Sequence, residues 1–183
     1  MSVATGVGGG IIRDLILGST PPAAFSNENY LIVCIAGGLL VFIASRKLAY
    51  RWDYVMTADA VGLGVFAAIG SSKAASMGLG GVGIVMMGTV TATGGGAIRD
   101  ILVREIPAII RTDFYATAAL IGGICLLLTR KIGAPEHIQI SAAVITATGL
   151  RLLAMKYQFS LPRIKSLPES PSRLTKKRKR KKK

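Results

Sequence analysis

The chain has 183 residues, 51% of them hydrophobic, and a mean hydropathy of +0.51, which is too apolar for an ordinary soluble domain and makes a bilayer the expected solvent. Its formal charge of +14 is concentrated at one end: from Gln158 onward lie 11 of the 23 basic residues and a single acid, Glu169, so the body is only mildly basic. Two cysteines inside apolar runs and one histidine, His137, exclude a disulfide framework, a zinc-ligand spacing and a Ser/His/Asp site.

Six membrane segments are expected in chain order, near Ser2 to Leu17, Tyr30 to Ser45, Met56 to Ser72, Gly80 to Arg104, Phe114 to Thr129 and Ile138 to Tyr157. Each approaches the roughly 20 residues that cross about 30 Å of hydrocarbon as helix. The first connection holds Pro21 and Pro22, read as a helix stop, and the second holds Arg46, Lys47 and Arg51. Basic loops are retained on the cytoplasmic side, so the Arg46 loop and the tail are assigned to the cytoplasm of a multi-pass plasma-membrane protein. Arg130 and Lys131 then fall on the far side. No Walker, dinucleotide or triad signature accompanies these segments, so neither an enzyme nor a cofactor is expected.

An internal repeat occurs at an offset of 86 residues. Gly8, Gly9, Gly10, Ile12, Arg13 and Asp14 recur as Gly94, Gly95, Gly96, Ile98, Arg99 and Asp100. Thr5 matches Thr91, Pro21 matches Pro107, Gly37 matches Gly123 and Leu40 matches Leu126. An odd number of crossings separates the copies, so they are expected to be inverted about an axis in the membrane plane. Repeat one is assigned to residues 1–45, repeat two to 56–129 and a final helix to 138–157, all within a membrane domain of residues 1–157. A basic tail, expected to be disordered, spans 158–183. A complete arrangement needs a helix ahead of Ser2 equivalent to the one carrying Asp59, and the first helix of repeat one is therefore expected to be missing.

Three consecutive glycines sacrifice backbone order, so the helices are expected to open or bend at Gly8 to Gly10 and at Gly94 to Gly96. Open backbone at membrane depth needs protein or a watery cavity around it. Carbonyls near Thr5 and Thr91 would then face a cation. Charges inside a membrane cost about 2.5 to 3.5 kcal/mol each on insertion scales and need partners. Because neighbours i and i+1 do not face each other on a helix, the expected pairs are Arg13 with Asp100 and Arg99 with Asp14. The competing reading makes these residues interhelical staples. Asp59 is either a cation-path acid or a helix cap, and Lys73 either snorkels or gates. Gly78, Gly80, Gly81 and Gly83, with Gly88 further on, are read as a packing face. The tail is read as an anchor to anionic lipid rather than a nucleic-acid arm.

The doubled Gly-Gly-Gly-x-x-Arg-Asp motif, the stretch from Asp59 to Ala67 and the segment from Gly149 to Pro162 resemble the prokaryotic branch of the trimeric intracellular cation (TRIC) channel family. That branch overlaps bacterial membrane proteins described as glycine transporters. The resemblance covers about residues 1–162. It implies an all-α membrane protein with two inverted three-helix repeats plus a final helix, a homotrimer, and a potassium- and sodium-permeable pore in each subunit around the glycine triplets. Two other functions stay open: a secondary transporter for a small amino acid, whose carboxylate would meet helix ends and arginines, and a structural scaffold.

Overall fold

The computed structural model describes residues 1–49, 52–111 and 114–157, and within them the chain is helical throughout, without strands. Six long helices, α1 (Ser2–Ile16), α3 (Asn29–Ala49), α4 (Trp52–Ser76), α5 (Gly81–Leu102), α7 (Ala116–Lys131) and α8 (Glu136–Tyr157), are joined by two single-turn helices, α2 (Ala23–Ser26) and α6 (Ala108–Arg111). Each of the six expected segments overlies one long helix. Three of them, α4, α5 and α8, are long and apolar enough to cross a membrane, and α3 carries a shorter apolar stretch, Asn29–Ser45. The basic tail expected over residues 158–183, and Arg51 of the second loop, lie outside the described residues.

The two short helices were not expected, because proline was read only as a stop. In the fold it works as a start: Pro22 is the N-cap of α2, and Pro107 stands directly before α6. Proline's fixed φ suits helix entry, and the N–H it lacks would have had no partner there.

Small residues set how closely the helices approach. Gly88 of α5 receives Ser71 and Ala67 of α4, Gly70 of α4 receives Thr91 of α5, and Gly122 of α7 and Gly64 of α4 receive Ala147 and Thr148 of α8. Without a hydrophobic force between helices in lipid, such contacts supply the packing attraction. Gly78 and Gly80, assigned in sequence to a packing face, have open space beside them. They build the α4–α5 turn, with Gly78 at φ +77° and Gly80 as the N-cap of α5.

Four helices end in one pattern. At the end of α1 the Ser19 N–H donates to the Asp14 carbonyl and the Gly18 N–H to that of Leu15; at the end of α5, Glu105 donates to Asp100 and Arg104 to Ile101. The same two bonds close α4 around Gly78 and α7 around Gly133. This is the Schellman arrangement, which needs one residue at positive φ. Gly18, Gly78 and Gly133 supply it; at the end of α5 it is Arg104, at φ +61°.

Equivalent surfaces of the two repeats are covered unequally. Leu126 is fully buried and Gly123 packs against Ser71 of α4, whereas Leu40 is 67% exposed and Gly37 has open space beside it. Among the described residues α4 lies against α5 and α7, while the corresponding side of α1 and α3 is an open groove of about 870 Å³ lined by Ser2, Thr5, Gly6, Cys34 and Gly38.

Candidate functional site

The triplets are not breaks. Residues 8–10 and 94–96 lie inside uninterrupted helices, α1 and α5. Glycine there serves close approach of the two backbones. A Cβ on Gly9 would collide with the Thr91 carbonyl oxygen, and one on Gly95 with the Thr5 carbonyl oxygen. The contact is reciprocal, each threonine carbonyl lying against the middle glycine of the other helix's triplet. The Thr5 and Thr91 carbonyls therefore abut glycine backbone, and their hydroxyls bond back to the carbonyls of Met1 and Met87 at 3.1 and 2.6 Å.

The charged pairs also differ from expectation. Arg13 and Asp100 are not paired, nor are Arg99 and Asp14; each arginine reaches its own neighbour through Nε, Arg13 to Asp14 at 2.8 Å and Arg99 to Asp100 at 3.0 Å. The adjacency rule fails because arginine is long enough to fold back along the final helical turn. The second carboxylate oxygen has a separate task. Asp14 Oδ2 accepts the Ala23 N–H at 2.9 Å and Asp100 Oδ2 accepts the Ala108 N–H at 2.8 Å, so each motif aspartate caps the short helix that follows. The structural counterpart of Pro107 is thus Pro22, not Pro21, one residue off the sequence register.

Helix α4 engages both copies. Asp59 accepts from Arg99 Nη1 at 3.4 Å, and Lys73 Nζ donates to Asp14 Oδ1 at 2.8 Å. Asp59 is therefore a partner of the second motif rather than a cap, and Lys73 a partner of the first. They stand fourteen residues apart on one face of the helix, about 21 Å at 1.5 Å per residue.

Two cavities flank the crossing. One of about 240 Å³ is lined by Thr5, Gly9, Thr91, Gly95 and Gly96, together with Asp59, Arg99, Phe66 and Tyr115. A smaller one of about 60 Å³ holds Gly10, Arg13, Asp14, Tyr30 and again Phe66. Gly8 and Gly94 instead face Ile98 and Ile12 of the opposing helix. Sequence reasoning missed three residues here. Tyr115 is buried, and the Arg151 guanidinium of α8 lies 5.0 Å from its ring centroid, within cation–π range. Arg151 is 5% exposed, and its Nε has no hydrogen-bond partner among the described residues. Its signal was legible, since a lone cation amid the apolar residues of α8 obeys the same cost rule that singled out Asp59. Phe66 carried no such mark.

This arrangement occurs in a known family. The family model described as Glycine transporter matches residues 1–46 and 56–131. A UPF0126 membrane protein of Vibrio cholerae is 36% identical over 88% of this chain and 68% of its own length. The UPF0126 inner membrane protein YadS of Escherichia coli is 36% identical over 88% of this chain and 79% of its own. A structure described as the basis for conductance through TRIC cation channels superposes with a TM-score of 0.84 at 37% identity, covering 91% of this chain and 82% of that one. The TRIC trimeric intracellular cation channel orthologue from Rhodobacter sphaeroides gives 0.80 at 36% identity, covering 85% and 80%. Matched in sequence and in fold over most of its length, the chain is a membrane protein of the Glycine transporter family, which overlaps the prokaryotic TRIC channels.

Proposed function

We propose that this protein conducts monovalent cations passively, potassium and also sodium, through a path in each subunit of a homotrimer. The path runs beside the α1–α5 crossing, past Thr5, Thr91 and the backbone at Gly8 to Gly10 and Gly94 to Gly96. The observation that carries this reading is the cavity of about 240 Å³ at the crossing, which joins threonine and glycine backbone to the Asp59–Arg99 pair. Such a lining offers oxygen ligands from backbone, threonine and the Asp59 carboxylate without a rigid cage. Its similarity to solved cation channels points the same way. In this reading the repeats are inverted, residues 1–45 against 56–129, Lys73 on Asp14 is the gate at the far end, and the tail of 158–183 is cytoplasmic, held to anionic lipid.

A second reading is favoured by the family's description and by cavity size: transport of a small amino acid such as glycine, its carboxylate meeting Arg99. Purified protein in a planar bilayer separates the two. Unitary currents that reverse with a potassium gradient support conduction, and saturable, gradient-coupled glycine uptake without unitary events supports transport.

A further inference from the structure

Phe66 is the one residue that lines both cavities flanking the helix crossing. The remaining walls of the two are separate, and the open groove beside α1 borders each at a different place, the larger at Thr5 and Arg99 and the smaller at Gly6. On the side of the larger cavity stand Asp59 and Arg99; on the side of the smaller stand Arg13 and Asp14, the latter bonded to Lys73. Along α4, Phe66 is seven residues after Asp59 and seven before Lys73, which places it two turns, about 10 Å, from each on the same helix face. Its neighbours one turn away on that face are Leu63, which lines the larger cavity, and Ile69, which lines the smaller. The midpoint between two charged ends is thus apolar and aromatic.

We propose that Phe66 is the septum of the path, an aromatic plug that keeps the two charged cavities apart in this conformation and must swing aside for an ion to pass. Phe66 takes this role from the conduction reading and its place from the two cavities. An apolar constriction excludes water, and a phenyl ring offers a cation no oxygen ligand in place of the water it would lose. The bulky side chains of the crossing itself, Ile12 and Ile98, pack against Gly94 and Gly8 and line neither cavity. Residue volume at position 66 therefore sets the barrier, whereas the charges at 59 and 73 set what collects on either side.

The test uses Phe66→Ala, Phe66→Leu and Phe66→Trp with two readouts. In planar bilayers the alanine variant is expected to raise unitary potassium current about threefold, leucine less, and tryptophan to lower it. A conducting wild type whose unitary current is the same in all three variants overturns the septum. The second readout needs no current. In a background with Cys34→Ala and Cys125→Ala, oriented proteoliposomes carrying Ala58→Cys in the larger cavity or Ala24→Cys in the smaller are exposed to a charged thiol reagent on the Asp59 side. Ala58→Cys is expected to react at least tenfold faster than Ala24→Cys, and Phe66→Ala or Phe66→Leu to narrow that ratio. A ratio indifferent to position 66 overturns the septum whatever the currents do. A silent wild type with a ratio that depends on position 66 defeats conduction and leaves the septum standing.

Discussion

A glycine in a membrane helix has two possible uses, and the two can be told apart one atom at a time. Gly9 and Gly95 each face a backbone carbonyl of the opposing helix, which cannot rotate away, whereas Gly10 faces only the far end of Arg13. Gly9→Ala and Gly95→Ala are therefore expected to cost about 1 to 3 kcal/mol as overpacking. Gly10→Ala is expected to be neutral or to gain up to about 1 kcal/mol. Thermal unfolding in detergent checks this, and equal losses at 9, 10 and 95 would sink the close-approach account. A second residue-scale prediction concerns Arg104, the only non-glycine among the described residues at positive φ. Arg104→Gly removes a left-handed penalty of about 1 kcal/mol and is expected to raise the melting temperature.

At the scale of elements, each motif aspartate joins a helix end to the next helix start, and α4 ties the two copies together. Asp14 is 1% exposed and holds two cations as well as the α2 cap; the Asp100 side chain is 12% exposed and holds one cation and the α6 cap. Removing one partner of a buried pair strands the other charge, at about 3 to 5 kcal/mol. Asp14→Ala is expected to reach that range and Asp100→Ala to cost less. A double-mutant cycle for Asp14 with Lys73 should show clear coupling, and the cycle for Arg13 with Asp100 almost none. The reverse result would restore the cross-repeat pairing that adjacency arguments favour.

For the whole molecule, the proposed conduction makes the charge around the larger cavity the determinant of what passes. Around the larger cavity Asp59 and Asp100 offset Arg99, with Arg151 stacked on Tyr115 behind it. Asp59→Asn leaves an excess of positive charge there and is expected to lower unitary potassium current several-fold, most at low ionic strength where screening is weak. Arg99→Gln is expected to raise it. Recordings in which both variants conduct like wild type would remove this cavity from the path.

The sequence alone was enough for the solvent and the number of long helices, because both follow from local composition: apolar runs of bilayer length, and charges too costly to leave in lipid without a role. It also singled out the residues that meet at the α1–α5 crossing, since a triplet of glycines beside an arginine and an aspartate has no local reason to recur 86 residues on. Whether glycine opens a helix or lets two helices meet was undecidable from sequence, because both uses need the same missing Cβ and differ only in what stands opposite. The tertiary structure also decided the ion pairs. Lys73 and Asp14 lie 59 residues apart, and only the packing of α4 across the crossing brings such distant charges within reach.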